Sequence, residues 1–179
     1  MNPSWCLQTG RLAMRPVWGG DLHELRVLKA DPMAFALMLG GVRSWQRSAE
    51  ELADDVLFWG RRGVGMWTVR DRESGAFRGV VGIMERPDGR GLALRFALQA
   101  EWQGRGYASE AAAAALRFAH ERAGLPRIIA VARETNLASR QVLGGIGMVL
   151  CDGFPRDGEL MLIYESLRPT PRPPAGRNV

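Results

Sequence analysis

Cysteine is scarce in this sequence, lysine scarcer, and long apolar runs are missing. The two cysteines, Cys6 and Cys151, have no C-x-x-C spacing and no neighbouring histidine pair, which excludes a disulfide framework and a zinc ligand set. No metal is expected, and a reduced, cytoplasmic compartment is the default. No apolar stretch reaches the roughly 18 residues that span a bilayer, and Met1 to Trp5 lacks the basic start of an export signal. The expectation is a cytoplasmic protein with no membrane partner. All but one of the 24 basic residues are arginine, and the single lysine, Lys29, lies far from any glycine-rich loop. A P-loop needs a lysine beside its glycines, so nucleotide hydrolysis by that motif is excluded.

What is present points to one domain. A chain of 179 residues, 46% of them apolar, buries enough surface to hold a core without covalent staples. The formal net charge is +5, but Arg168, Arg172 and Arg177 crowd the end and leave the body only slightly basic. The other arginines are scattered among acids, so the excess reads as compositional habit and nucleic-acid binding is disfavoured. We place an N-terminal extension at residues 1–7, a folded domain at 8–168 and a Pro-rich flexible tail at 169–179, where four prolines fall within six residues.

Local patterns order the domain. Arg11 to Arg15 alternates as a short strand before Pro16. Asp21 starts a helix with Leu22, Leu25 and Leu28 on one face and Glu24 as partner in a variant capping box. Ser48 with Glu51 has the capping-box spacing for a second helix, with Leu52, Val56 and Trp59 as its apolar face. Runs at 65–70, 78–85 and 91–98, separated by turn residues, read as an antiparallel meander. An Ala-rich helix from Tyr107 to Ala123, a strand at Ile128 to Val131, a helix from Asn136 to Leu143, and strands at 148–151 and 160–165 complete it. The fold class is therefore α/β in the broad sense and α+β in the stricter one. The sheet is mixed and mostly antiparallel, with six to seven strands and helices on both faces.

The chemistry concentrates in Gln103-Gly104-Arg105-Gly106-Tyr107-Ala108-Ser109-Glu110, which opens the Ala-rich helix after a strand. The first backbone N–H groups of a helix lack internal partners and carry partial positive charge, and glycines let an anion approach them. Such a loop holds a phosphate or pyrophosphate. A dinucleotide fingerprint matches only in part, because Ser109 stands in the third glycine slot. The other reading is Gln103-x-x-Gly106-x-Ala108.

That pattern resembles the acetyl-CoA pyrophosphate motif of the GNAT N-acetyltransferase superfamily, and the chain as a whole resembles its RimJ/RimL-like branch. The blocks that carry the resemblance are Arg11-Leu12-Ala13-Met14-Arg15-Pro16, Glu101 to Ala111, Asn136-x-x-Ser139, and Leu143 to Met148. They are similar to R-L-x-L-R-P, W-G-x-G-Y-A-S/T-E-A, N-x-x-S and V-L-x-x-x-G-F of that branch and follow in the same order.

The resemblance implies a GNAT-like single domain that moves an acetyl group from acetyl-CoA to a primary amine, of a protein N-terminus or a small molecule. It implies cofactor contacts from Gln103, Gly104, Arg105, Gly106, Tyr107, Ala108 and Ser109 to the pyrophosphate. Phe96, Leu98 and Asn136 would contact the pantetheine, and Ser139 would lie near the sulfur. Direct attack of the amine on the thioester is the implied mechanism, and a homodimer is a family expectation. The catalytic candidates are Asn136, Ser139 and, as a general base, Glu85, with Glu134 as a second acid. Two family groups have no counterpart: Ala93 stands where relatives carry a strand Glu, and Leu143 where many carry a Tyr. An acyl-CoA-binding module without catalysis and a basic nucleic-acid-associated protein are the alternatives. Trp59 and Trp67 read as core, and Trp45 as a possible wall of an acceptor pocket.

Overall fold

The computed structural model describes residues 2–169; the remainder of the Pro-rich segment, from Thr170, lies outside the described residues. The meander forms as β2 (Leu12–Pro16), β3 (Met66–Asp71), β4 (Phe77–Glu85) and β5 (Leu92–Leu98), each antiparallel to the next. Asp71 Oδ1 accepts from Ser74 N at 2.9 Å and from its hydroxyl at 2.8 Å, which folds the β3–β4 turn.

Because successive strand residues point to opposite faces, the meander feeds two cores. Met66, Val80 and Ala97 face one core, completed by α1 (Leu22–Ala30), α2 (Pro32–Phe35) and α3 (Trp45–Arg62). Their neighbours Trp67, Val81 and Leu98 face the other, against α4 (Tyr107–Glu121) and α5 (Leu137–Gly145). In α4 the buried Ala111, Ala112, Ala115 and Ala119 combine high helix propensity with small side chains, so the helix lies close on the sheet.

A crossover through α4 places β6 (Arg127–Arg133) parallel to β5, and with β1 (Leu7–Gln8) at one edge and β8 (Glu159–Leu167) and β7 (Val149–Arg156) at the other the order is β1-β2-β3-β4-β5-β6-β8-β7. β5 and β6 are in register only at Ala93↔Ile129. Beyond that pair the two strands share no ladder, and the chain opens a cleft between them at the start of α4.

Several expectations need correction. Among the described residues the sheet has eight strands, because β1 pairs with β2 through Leu7↔Met14. The N-terminal extension is in contact with the sheet and α3: Trp5 stacks on Trp59 at 4.9 Å, and its carbonyl accepts from Trp67 Nε1 at 2.7 Å. The second helix begins at Trp45 with Ser44 as its cap, and Ser48 lies buried within it, its hydroxyl bonded to Ser44 O. Ser48 loses the role because Glu51 turns inward to Lys29 instead of back to the helix start. Asp21 likewise makes no side-chain cap for α1; it is 1% exposed and takes both guanidinium nitrogens of Arg15. A charge-assisted fork outcompetes a single cap bond.

Candidate active site

Two cavities open from the cleft between β5 and β6. The first, about 370 Å³, is the loop cavity; it runs from the start of α4 along the end of β5 to α5. The second, about 300 Å³, is the arginine cavity; it lies between β5, β6 and the segment joining α2 to α3. Phe96, Asn136 and Ser139 line both, together with Leu37 and Met38.

The loop cavity ends on a helix start that is open to an anion. Gly106 caps α4 in the left-handed region, φ 77°, and among the described residues no side chain bonds to the first N–H groups of the helix. Gly104 has φ 71°. These are conformations an L-residue adopts only with strain, so the loop's shape requires glycine at both positions. Gln103 Nε2 donates to Leu98 O at 3.0 Å and ties the loop to the end of β5.

A brace that the sequence motifs did not single out holds the loop from outside. Glu110, in the first turn of α4, accepts from Thr9 Oγ1, from Arg11 N at 2.9 Å and from Arg11 Nε at 2.7 Å. Burial works against its ionisation, and these donors nonetheless hold its carboxyl below the usual range. Arg11 also donates to Arg105 O at 3.0 Å and covers the Tyr107 ring at 4.2 Å. Both residues lie within blocks matched above, so their positions, although not their partnership, were visible.

Of the residues expected to contact a cofactor, Phe96, Leu98, Gln103, Gly104, Gly106, Ala108, Ser109 and Asn136 line the loop cavity. Arg105 and Tyr107 do not. The Arg105 guanidinium stacks on Trp102 at 4.9 Å, and Tyr107 meets the edge of Trp102 at 5.9 Å, so both serve the loop's outer side. Asn136 caps α5 by accepting from Ser139 N at 3.1 Å, which sets both side chains at the junction of the cavities.

The acid candidates stand apart. Glu85 is exposed, pairs with Arg62 at 3.4 Å and lines neither cavity, because its neighbours Met84 and Arg86 take the inward positions of the strand. Glu134 is exposed and also lines neither. Trp45 is 59% exposed under Arg26, at 4.3 Å, away from both cavities. His120 bridges Leu125 O and Ser166 Oγ, a structural role.

Among the described residues the arginine cavity has one acid in its wall, Glu51. Burial opposes its charge, but Lys29 Nζ at 2.8 Å and Arg43 Nε at 2.6 Å outweigh it and hold the carboxyl at about 2. Lys29, 1% exposed, is pushed below the usual range by burial and by Arg95. Among the described residues no group of His, Cys, Asp and Glu is placed to hold a metal, and no helix is long and apolar enough to cross a membrane.

Comparison with known proteins agrees with this geometry. The acetyltransferase (GNAT) domain matches residues 11–149. The acetyltransferase of Agrobacterium tumefaciens strain C58 is 30% identical over 90% of this chain and 93% of its own, with a TM-score of 0.80. The RimL ribosomal L7/L12 alpha-N-protein acetyltransferase, solved with coenzyme A, is 17% identical over 90% and 97%, with a TM-score of 0.74. The ribosomal-protein-S5-alanine acetyltransferase of Vibrio fischeri is 16% identical over 94% and 99%, with a TM-score of 0.72. The latter two likenesses show a shared fold. With the domain matched over most of its length and the cleft in place, this chain belongs to the GNAT family of acetyltransferases.

Proposed function

We propose that the protein is an N-acetyltransferase of the RimJ/RimL-like branch, which takes the acetyl group from acetyl-CoA to a primary amine by direct attack on the thioester. The observation that carries this reading is the meeting of two cavities at Phe96, Asn136 and Ser139. The loop cavity suits an elongated co-substrate with an anionic middle: the uncapped N–H groups after Gly106 suit its pyrophosphate, and the free edge of β5 suits its amide-bearing arm. The arginine cavity then receives the amine, and the reaction takes place where the two meet.

The chemistry needs an amine nitrogen beside the thioester carbon, a donor for the developing oxyanion, and an exit for one proton. The nitrogen–carbon bond forms as the carbon–sulfur bond breaks, and the thiolate takes up a proton. Ser139, with a hydroxyl at the junction, suits the last role. No wall acid suits the role of base: Glu51 stays ionised but too weakly basic at about 2, and Ala93 and buried Leu143 offer nothing titratable. Water carries the amine's proton, and rate enhancement comes mainly from holding the two reactants in place.

The test is to incubate the protein with acetyl-CoA and an amine panel, following thiol release and product mass. Acetylated amine formed with one thiol per acetyl group, and no acetyl-protein in a rapid quench, supports the reading. Tight CoA binding without turnover of any amine would instead identify an acyl-CoA-binding module.

A further inference from the structure

Among the described residues six arginines, Arg43, Arg47, Arg86, Arg95, Arg133 and Arg156, line the arginine cavity against the single acid Glu51. Each has an acid within 3.8 Å, but the pairs differ in closeness and exposure. Arg43 and Arg47 share Glu51, at 2.6 and 3.5 Å, with Lys29 already on it, and Arg47 also reaches Glu50 at 3.3 Å on the exposed side of the helix. Arg86 is taken by Asp88 at 2.5 Å, and Arg133 is paired with Glu159. Arg156 reaches only Asp157, at 3.4 Å, a side chain that is 87% exposed. Arg95 is the least satisfied. Its acid, Asp55, is 3.8 Å away, beyond hydrogen-bond range, and its buried Nε has no hydrogen-bond partner among the described residues.

A guanidinium that is 15% exposed in the cavity wall, with its acid beyond hydrogen-bond range and one donor unused, and next in sequence to Phe96 at the junction, is a binding group awaiting a ligand. We infer that the acceptor is a small amine that itself carries an oxyanion, a carboxylate or a phosphoryl group, and that Arg95, with Arg156, binds that group. The inference rests on the acetyl-transfer reading of the cleft and names its substrate class. At about 300 Å³ the cavity lies at the small end of ligand pockets, which favours a compact molecule over a chain. Polyamines and aminoglycosides, which bring several cations, meet a wall whose guanidiniums outnumber its acid, and that acid, Glu51, is already engaged by Lys29, Arg43 and Arg47. The positive wall also favours the neutral, nucleophilic form of a bound amine, in keeping with a site that lacks a base.

Matched pairs test this on the whole protein: glycine, β-alanine and 4-aminobutyrate against their amides, 2-aminoethyl phosphate against ethanolamine, with spermidine and trialanine amide alongside. The oxyanion-bearing member of at least one pair should have a kcat/KM about tenfold or more higher, the factor expected of a charge-assisted hydrogen bond. Arg95→Gln should bring that ratio toward one, chiefly through KM, and Arg95→Lys should restore part of it. Arg156→Gln, at a more exposed position, gives a weaker loss in the same direction and covers the case in which Arg95→Gln fails to fold. Preference among the acids for carboxylate or phosphate decides between the two groups. Amides turned over as well as acids, or turnover confined to spermidine or to trialanine amide, would overturn the inference.

A readout independent of turnover is the Nε–H resonance of Arg95 in CoA-loaded protein. Titration with 4-acetamidobutyrate and N-acetyl-2-aminoethyl phosphate should shift it, and the neutral amide of the first should not. No shift with either oxyanion overturns the inference even if no amine in the panel reacts. Calorimetric binding of CoA to the same samples separates the outcomes: CoA bound without acid preference removes this inference alone, and no CoA bound removes the acetyl-transfer reading beneath it.

Discussion

Arg11 Nε lies 2.7 Å from Glu110 Oε2 while the same guanidinium donates to Arg105 O at 3.0 Å, so one side chain joins the first turn of α4 to the loop that precedes it. The pair spans 99 residues and couples the β1–β2 turn to the loop cavity.

Arg11→Ala should therefore weaken CoA more than it weakens the fold. Arg11 is half exposed, so the ion pair contributes at most about 1 kcal/mol to stability after screening. The loop's geometry depends on it more strongly, and CoA affinity should fall about fivefold to tenfold. Calorimetry and denaturant unfolding of the same sample compare the two losses. A stability loss with unchanged CoA affinity would reduce Arg11 to a surface contact.

Asn136 has two roles that substitution can separate. Asn136→Ala removes the α5 cap and should cost about 1 kcal/mol of stability. Asn136→Ser keeps a capping oxygen but withdraws the amide from the cleft, so stability should stay near that of the parent while KM for acetyl-CoA rises. Thermal unfolding and initial rates on both variants check this.

Ser139→Ala should lower kcat about tenfold to hundredfold, because a donor to the leaving sulfur acts chiefly in the transition state. Its CoA affinity should change by less than about twofold. If attack is direct, as proposed, intact-protein mass of the parent under turnover should show no acetyl-Ser139.

Glu51 gives a stability prediction with a definite sign. Its carboxyl is held at about 2 against 4.5 for the free group, so between those values the unfolded chain binds more protons than the folded one. The stabilisation is fully present above about pH 4.5 and is lost as pH falls toward 2. Glu51→Gln should remove that part of the acid sensitivity. It should also cost about 3 kcal/mol at neutral pH, because Lys29, 1% exposed, loses its carboxylate. Denaturant midpoints across pH for both proteins give the comparison.

The parts of the molecule legible in the sequence are those whose physics is local. The loop from Gln103 to Ser109 could be read because a helix start with glycines before it is an anion site wherever it occurs. The meander could be read because turn residues punctuate alternating runs. The helix start at Asp21 was legible, but its cap bond was not, because Arg15 took the carboxylate; the start placed at Ser48 failed because Lys29 took Glu51. The wall of the arginine cavity was illegible for the same reason. Arg43, Arg47, Arg86, Arg95, Arg133 and Arg156 read as scattered charge along the chain, and only the splay of β5 from β6 gathers them around one cavity.

The account turns on the loop cavity binding acetyl-CoA through the start of α4, and Ser109→Glu tests it most directly. Gly106 is a poor site for the test, because its φ of 77° would strain any side chain. Ser109 is the third residue of α4, where a carboxylate is helix-compatible and favoured by the dipole, so the variant should fold at least as stably as the parent. Calorimetric titration of both with CoA should give micromolar binding to the parent and at least a tenfold weaker Kd for the variant. Equal affinity in two folded proteins, or none in the parent, would contradict the account.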